Sequence, residues 1–357
     1  TRYGSLGNMG VGEGGGELVK QLLENTWDIN APEVVLVWLE GTPRKGIGPH
    51  DVAISLVKAT FENGFVKNKV LEFAGPGVKN LPIDFRNGIE VMTTETTCLT
   101  SIWVTDEEVH NYYKMHNREQ DYKELRPGKV AYYDSMIKID LSKQESMIAL
   151  PYHPSNAYSI HELQANPEKI LREVEQDSIK RFGDKIQIDL VSKIKNGKVV
   201  ADQGIIAGCA GGTYDNLAEA AAILKDKSTG NDYFTASAYP QSVPVYLAAT
   251  RSHIAEDLLE AGVAIKPAFC GPCFGAGDVP SNNGLSIRHT TRNFPNREGS
   301  KPGQGQISLV ALMDARSIAA TAVNGGVITA ATDIDYTVNY EGYKYDPKVY
   351  ERRIYND

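Results

Sequence analysis

The sequence predicts an α/β fold in two domains, with mainly parallel strands joined by helices. Two observations lead there. Short apolar runs of strand length, such as Val34-Val-Leu-Val-Trp38 and Val70-Leu-Glu-Phe73, alternate with stretches whose apolar residues recur at helical spacing. A polar stretch from Asp106 to Arg126 then closes on Pro127-Gly128, a break that divides the chain into domains over residues 1–127 and 128–357. With 357 residues and a hydrophobic fraction of 41%, each part has material for a core.

The glycine-rich segment Gly4 to Gly16 leads into a helix from Glu17 to about Leu23. It contains Gly10-x-Gly12-x-x-Gly15, but no buried strand precedes those glycines, which disfavours a dinucleotide site. Val34 to Trp38 is a continuous apolar run, expected as a strand covered on both faces. Asp51 is placed to cap a helix carrying Ile54, Val57 and Phe61 on one stripe and ending at Gly64. Val70 to Phe73 resumes as strand, and Asp106 to Arg126 reads as a surface helix. Beyond the break come a strand within Tyr132 to Leu141, a charged helix from Pro167 to Arg181, and a turn at Asn196-Gly197. Three strand–helix units follow. The first runs from Ile205-Ile206 past Cys209 to a helix over Asp215–Lys225 capped by Asp215. The second runs from Tyr233 through a helix between Pro244 and Ala261, closed at Gly262, towards Cys270. The third runs from Ile287 through a helix over Gln306–Val323 to Val327–Thr329.

Net charge is −8 and the isoelectric point near 5.5, with no cluster of five or six lysines or arginines, so a nucleic-acid or anionic-membrane partner is disfavoured. No apolar run approaches the roughly 20 residues needed to cross a bilayer. Four cysteines are too few for a disulfide framework and suit thiol chemistry in a reducing, cytoplasmic setting. The chain opens at Thr1-Arg-Tyr-Gly without methionine, and the expectation is a portion excised from a longer polypeptide.

Three of the four cysteines lie in one half, as Cys209 and the pair Cys270-Gly-Pro-Cys273. Two thiolates three positions apart can grip one metal cluster from a single turn, with Cys209 as the third ligand if the fold joins the loops. Iron–sulfur is favoured over zinc, for which His289 would be the fourth ligand, and over a thioredoxin-type dithiol. Cys98, in a threonine-rich run, reads better as a buried thiol than as a further ligand. Arg292 and Arg297 flank Asn-Phe-Pro-Asn, and two guanidinium forks beside a cluster suit a di- or tricarboxylate; Arg288 has the weaker claim. Glu95, a lone carboxylate among threonines, is either a satisfied buried acid or a general acid/base. His153, before Pro154, reads as ending a turn.

Together these residues resemble the aconitase superfamily, the iron–sulfur hydro-lyases that include aconitase and isopropylmalate isomerase. Cys270-Gly-Pro-Cys273 with Arg292-Asn-Phe-Pro-Asn-Arg297 is similar to the family's paired cluster ligands and its substrate loop, and Gly208-Cys209 with Tyr214-Asp215 to its first ligand. Glu72-Phe-Ala-Gly-Pro-Gly-Val78 and the stretch through Met92 and Glu95 resemble the family's second domain, where the matching glutamate contacts the substrate hydroxyl. The resemblance implies two three-layer α/β domains of the iron–sulfur type. It also implies a 4Fe-4S cluster on Cys209, Cys270 and Cys273 with one open iron, Arg292 and Arg297 as carboxylate receptors, and Glu95 as the catalytic group. The implied reaction is removal and addition of water on a small hydroxy di- or tricarboxylic acid. An N-terminal domain and a C-terminal swivelling domain of the same enzyme would be missing parts, and the chain alone would be inactive. A thiol oxidoreductase on the Cys270/Cys273 pair and an RNA-binding regulatory module are the alternatives.

Departures point to a divergent hydratase branch. Where the family has polar neighbours at the first ligand, this chain has Gly208, Ala210 and Gly211; Val91 and Thr291 stand where asparagines are common. These losses disfavour citrate as the substrate.

Overall fold

A computed structural model describes residues 3–352 except 13, 27, 184–187, 231–232 and 296–304. It is α/β, built on two largely parallel sheets. Strands β1 (Val34–Glu40), β2 (Val70–Ala74), β3 (Thr100–Trp103) and β4 (Ser135–Asp140) form a parallel sheet in the order β3-β2-β1-β4. The last of these lies beyond Pro127-Gly128, so the first sheet is completed by chain from after that break. The seven-stranded second sheet takes in β5 (Met147–Ala149) and β6 (Ala157–Ser159). A small hairpin, β7 (Ile194–Lys195) and β8 (Lys198–Val199), stands apart. The second sheet continues with β9 (Gln203–Ala207), β10 (Thr235–Tyr239), β11 (Ala264–Ile265), β12 (Gly284–His289) and β13 (Ser308–Met313), in the order β11-β10-β9-β12-β13-β5-β6. Successive strands step outward from β9 to β11, then β12 returns to the other side of β9. That reversal opens a crevice at the carboxyl ends of β9 and β12, the usual place for ligands in such sheets.

Several expected elements change. β1 alternates between buried and half-buried residues, so only one of its faces is fully covered. Helix α1 (Gly15–Glu24) matches the expected position. Helix α2 (Pro49–Thr60) starts before Asp51, which sits in the first turn and accepts the Gly48 N–H at 2.8 Å. Its Val52 and Leu56 pack on the first sheet with helix α3 (Ile83–Glu90), while Ala53, Ile54 and Val57 pack against Met147, Ala149 and Leu312 of the second. One helix therefore serves both cores.

The expected surface helix shrinks to α4 (Glu107–Met115), capped by Asp106, because Asn117 takes the left-handed conformation that ends helices. Helices α5 (Ile160–Ala165), α6 (Pro167–Phe182), the short α7 (Gly208–Gly211) and α8 (Tyr214–Leu224) follow, and α8 is capped by the Thr213 hydroxyl rather than by Asp215. The expected helix before Gly262 is two, α9 (Val243–Arg251) and α10 (Ile254–Glu260), divided at His253 with φ of 64°. Gln306–Val323 is not one helix: Ser308–Met313 is a fully buried strand, and only α11 (Ala315–Val323) is helical. No helix among the described residues is long and apolar enough to cross a membrane.

Three aspartates join the two sheets' halves through backbone N–H groups. Asp51 accepts from Met147 at 2.7 Å, Asp314 from His50 at 3.1 Å and Asp84 from Asp215 at 3.2 Å. The Asp215 carboxyl is itself pushed up to about 7, by desolvation first and then by Asp84. A carboxyl whose folded pKa exceeds its unfolded value stabilises the fold fully below the unfolded value and loses that contribution as pH rises through about 7. Asp215→Asn is therefore expected to raise the urea midpoint at about pH 8.5 while changing it little at about pH 4. Equal shifts at both pH values would contradict the assignment.

Candidate active site

Cys209 lies in the first turn after β9, Cys270 and Cys273 in a tight turn after β11, and Arg292 in the loop after β12. The crevice thus receives all of these groups from strand ends. Gly211 and Gly212 explain part of the departure around Cys209. A Cβ on Gly211 would stand 2.4 Å from the His289 carbonyl oxygen, and one on Gly212 2.1 Å from that of Tyr239, so the turn can lie on the ends of β12 and β10 only without side chains.

The thiol turn is pinned from below by Arg288. This arginine is fully buried in β12 and donates Nη1 to the Pro272 carbonyl at 2.8 Å, Nη2 to the Asp278 carbonyl at 2.8 Å and Nε to Ser286 Oγ at 2.9 Å. Tyr239 donates to Asp278 Oδ2 at 2.7 Å and Lys266 pairs with the same carboxylate, tying the rest of the loop to β10. Arg288 is thus a positioning residue, with no guanidinium face left for substrate.

Within the turn, the Cys273 thiol is hydrogen-bonded to Cys270, and the Thr291 N–H points at the Cys273 sulfur. Cys209 stands near enough to Cys273 to oppose its ionisation. The exposed Cys270 thiol is lowered to about 6, chiefly by the Cys273 hydrogen bond and, against the cost of burial, with help from the Arg292 guanidinium. Burial and the Cys270 charge push the Cys273 thiol up.

Arg292 bridges the two halves, its Nε donating to Glu95 Oε1 at 2.9 Å. Glu95 is 5% exposed and Arg292 36%, so the carboxylate is desolvated while the guanidinium still reaches the crevice. Asn293 anchors this loop by donating to the Leu150 carbonyl at 2.9 Å, and Phe294 stacks on His153 at 5.2 Å. His153 does end a turn, with Nδ1 accepting the Ser155 N–H at 3.1 Å, and its ring also meets Phe61 at 3.8 Å. Arg297 lies outside the described residues.

Cys98 is buried and donates to the Thr93 carbonyl at 3.3 Å, away from the thiol turn. His289 does not join the thiols either: it is buried, its ring tilted against that of His50 at 4.2 Å, and it accepts the Ala315 N–H at 2.9 Å. Among the described residues, no three histidine, cysteine, aspartate or glutamate side chains are gathered closely enough to hold a single metal ion. A cubane takes one thiolate per iron, so its ligands stand farther apart than those of a mononuclear site, and a donor set of three thiols on converging loops fits that chemistry.

Sequence reasoning missed Tyr3, whose hydroxyl accepts from Gln241 Nε2 at 2.8 Å and whose ionisation Cys209 opposes. It also missed the buried Asp314–Arg316 pair at 3.0 Å, with Arg316 donating to Asn216 at 2.9 Å. Neither carried a local motif.

A family profile described as the aconitase family (aconitate hydratase) matches residues 1–325. The 3-isopropylmalate dehydratase large subunit of Elusimicrobium minutum is 28% identical over 302 residues, 84% of this chain and 64% of that protein. The large subunit 1 of the same name from Thermotoga maritima is 26% identical over 324 residues, covering 90% and 68%, and that of Picrophilus torridus 27% over 326, covering 91% and 68%. The chain spans about two thirds of the length of these relatives. The holo-form of Thermococcus kodakaraensis aconitase X aligns with a TM-score of 0.33 at 11% identity, over 73% of this chain and 49% of that one.

The arrangement around Cys270 makes its reactivity measurable. Iodoacetamide labelling of Cys270 in iron-free protein should rise through about pH 6, with Arg292→Ala moving the midpoint upward. A midpoint at the ordinary thiol value of about 8.5 would contradict the geometry of the turn.

Proposed function

This chain belongs to the aconitase family, and from that premise we propose that it is the cluster-bearing part of a hydro-lyase acting on a hydroxy di- or tricarboxylic acid. The convergence of Cys209, Cys270 and Cys273 at the switch point, beside the Arg292–Glu95 pair, is the observation that supports this reading best. The three cysteines would hold a 4Fe-4S cluster, which when bound supplies a Lewis acid for the substrate hydroxyl. Arg292 spends Nε on Glu95, and its terminal nitrogens have no recorded partner among the described residues, so the fork serves a substrate carboxylate. Arg297 would add a second receptor. Glu95, held in place by that same guanidinium, is the acid/base that handles the proton at the reacting carbon's hydroxyl. The relatives are named as large subunits, and we extend that to this chain: further polypeptide, in the same chain or a second one, completes the site.

A second reading has one observation in its favour, the asymmetric thiol pair with Cys270 lowered to about 6 and Cys273 buried. Thiol–disulfide exchange of the thioredoxin type places the first thiol at the N-terminus of a helix that carries the second. Here Cys270 leads only into the three-residue turn Gly271–Cys273, so the hydro-lyase reading is preferred.

Anaerobic reconstitution with iron and sulfide decides between them. The chain should become brown, and Cys209→Ala, Cys270→Ala and Cys273→Ala should each lose the chromophore while Cys98→Ala keeps it. Folded but colourless wild-type protein overturns the cluster, and insulin reduction that needs Cys270 and Cys273 but ignores Cys209 would favour the dithiol.

A further inference from the structure

Two buried imidazoles take no part in the site described above. His50, in the first turn of α2, and His289, the last residue of β12, are both 0% exposed, and their rings meet at 4.2 Å with a tilt of 34°. Neither nitrogen of His50, nor Nε2 of His289, has a hydrogen-bond partner among the described residues. His289 Nδ1 alone is used. It accepts the Ala315 N–H at 2.9 Å, which places the neutral ring's proton on Nε2. Shielded polar atoms are nearly always paired, so three bare nitrogens at one contact mark a weak point in the fold.

The charges around the pair are already committed. Asp314, at the start of α11, has Oδ2 3.9 Å from His289 Nδ1 and favours a proton on either ring, but burial outweighs it. Its carboxylate is spent on the His50 N–H at 3.1 Å, the Arg316 N–H at 3.0 Å and the Arg316 guanidinium at 3.0 Å. Asp51, next along α2, holds the Gly48 and Met147 N–H groups and is itself pushed well up by burial. Arg316, which also pairs with Glu219 of α8, opposes a charge on His289. Both rings are therefore kept neutral, His289 lowered to about 4 and His50 well below its usual value, in each case chiefly by burial.

The contact also lies between the two segments that meet at the site. Ala53, Ile54 and Val57 of α2 pack with Val91 and Met92, just ahead of Glu95, and His289 comes three residues before Arg292. We propose that the His50–His289 contact is an acid-sensitive latch: a proton taken up by either ring opens this joint ahead of the two cores and loosens the Arg292–Glu95 pair. The latch needs neither cluster nor substrate, so it stands or falls apart from the hydro-lyase reading.

A histidine whose folded pKa is depressed contributes fully above the unfolded value of about 6.5, and that contribution is lost as pH falls from there towards about 4. Each ring exposed on opening should favour the open form about thirtyfold more at pH 5 than at pH 8. Asp51, raised rather than lowered, works in the opposite sense and is common to wild type and variants.

Hydrogen exchange of the whole chain, corrected for intrinsic rates at each pH, tests the latch. Between about pH 8 and pH 5, protection of α2, of α11 and of residues 91–97 should fall about thirtyfold or more, while β2 keeps its protection. His50→Phe retains a ring against His289 but cannot titrate, and should remove about thirtyfold of that fall. His289→Asn, which still offers an acceptor to the Ala315 N–H, is the second variant should His50→Phe fail to fold. Equal protection of the joint at both pH values would overturn the latch. So would a fall that the variants reproduce in full, or one that β2 shares.

Discussion

Buried carboxylates that cross from one half of the protein to the other hold the site together. Asp51 and Asp84 reach from the first half to N–H groups of the second, and Asp314 reaches back to His50. A buried N–H or carboxyl oxygen left without its partner costs about 1–3 kcal/mol, and three such bonds at different points leave the two sheets little freedom to slide. Their cost is mutual repulsion. Burial and then Asp314 push the Asp51 carboxyl well up. Against its own burial, Asp314 is held below the usual carboxylate range by the Arg316 guanidinium. Arg316 is itself buried and paired, so the network closes without an exposed charge. Helix α2, packed into both cores, adds an apolar seam to the same joint.

Arg288 does for the thiol turn what those aspartates do for the halves. Its guanidinium ties two carbonyls of the loop between Cys270 and Asn283 to strand β12 from a position without solvent. Removing it would orphan those carbonyls at about 1–3 kcal/mol each, and a lysine has no planar fork with which to reach both. The position of two of the three candidate ligands therefore follows from a residue that touches no ligand. Cys209 is fixed differently, by glycines that let its turn lie directly on neighbouring strand ends.

These two devices mark where the sequence could be read and where it could not. The cysteines and Arg292 were legible because parallel sheets gather ligands at the carboxyl ends of strands, and the short apolar runs before Cys209 and before Cys270 identified such ends. Ser308–Met313 was taken into a helix because six consecutive buried residues have no period to separate strand from buried helix. The surface helix was placed to start at Asp106, but it stops before Asn117, whose left-handed conformation depends on its folded surroundings. Asp215 lost the cap of α8 to Thr213 by two positions, a difference that composition does not resolve. Arg288 looked like a weaker companion of Arg292 and Arg297, since its partners are main-chain carbonyls with no identity in the sequence. Asp51, Asp84 and Asp314 were illegible as a joint for the same reason: each pairs with a backbone N–H far along the chain.

The Arg292–Glu95 pair brings both levels together. Glu95 comes from the first half, desolvated and in need of a cation; Arg292 comes from the loop after β12, whose Asn293 is fastened to the Leu150 carbonyl. The guanidinium is shared three ways: Nε orients Glu95, its charge lowers the Cys270 thiol, and its terminal nitrogens remain for a carboxylate. A lysine offers one compact charge and could satisfy one of these demands but not the planar geometry of all three. On the proposed reading, a substrate carboxylate on that fork would be held beside both Glu95 and the thiol turn, the arrangement that dehydration of a hydroxy acid requires. The chemistry of the site thus depends on one side chain whose position is set by the docking of the two halves.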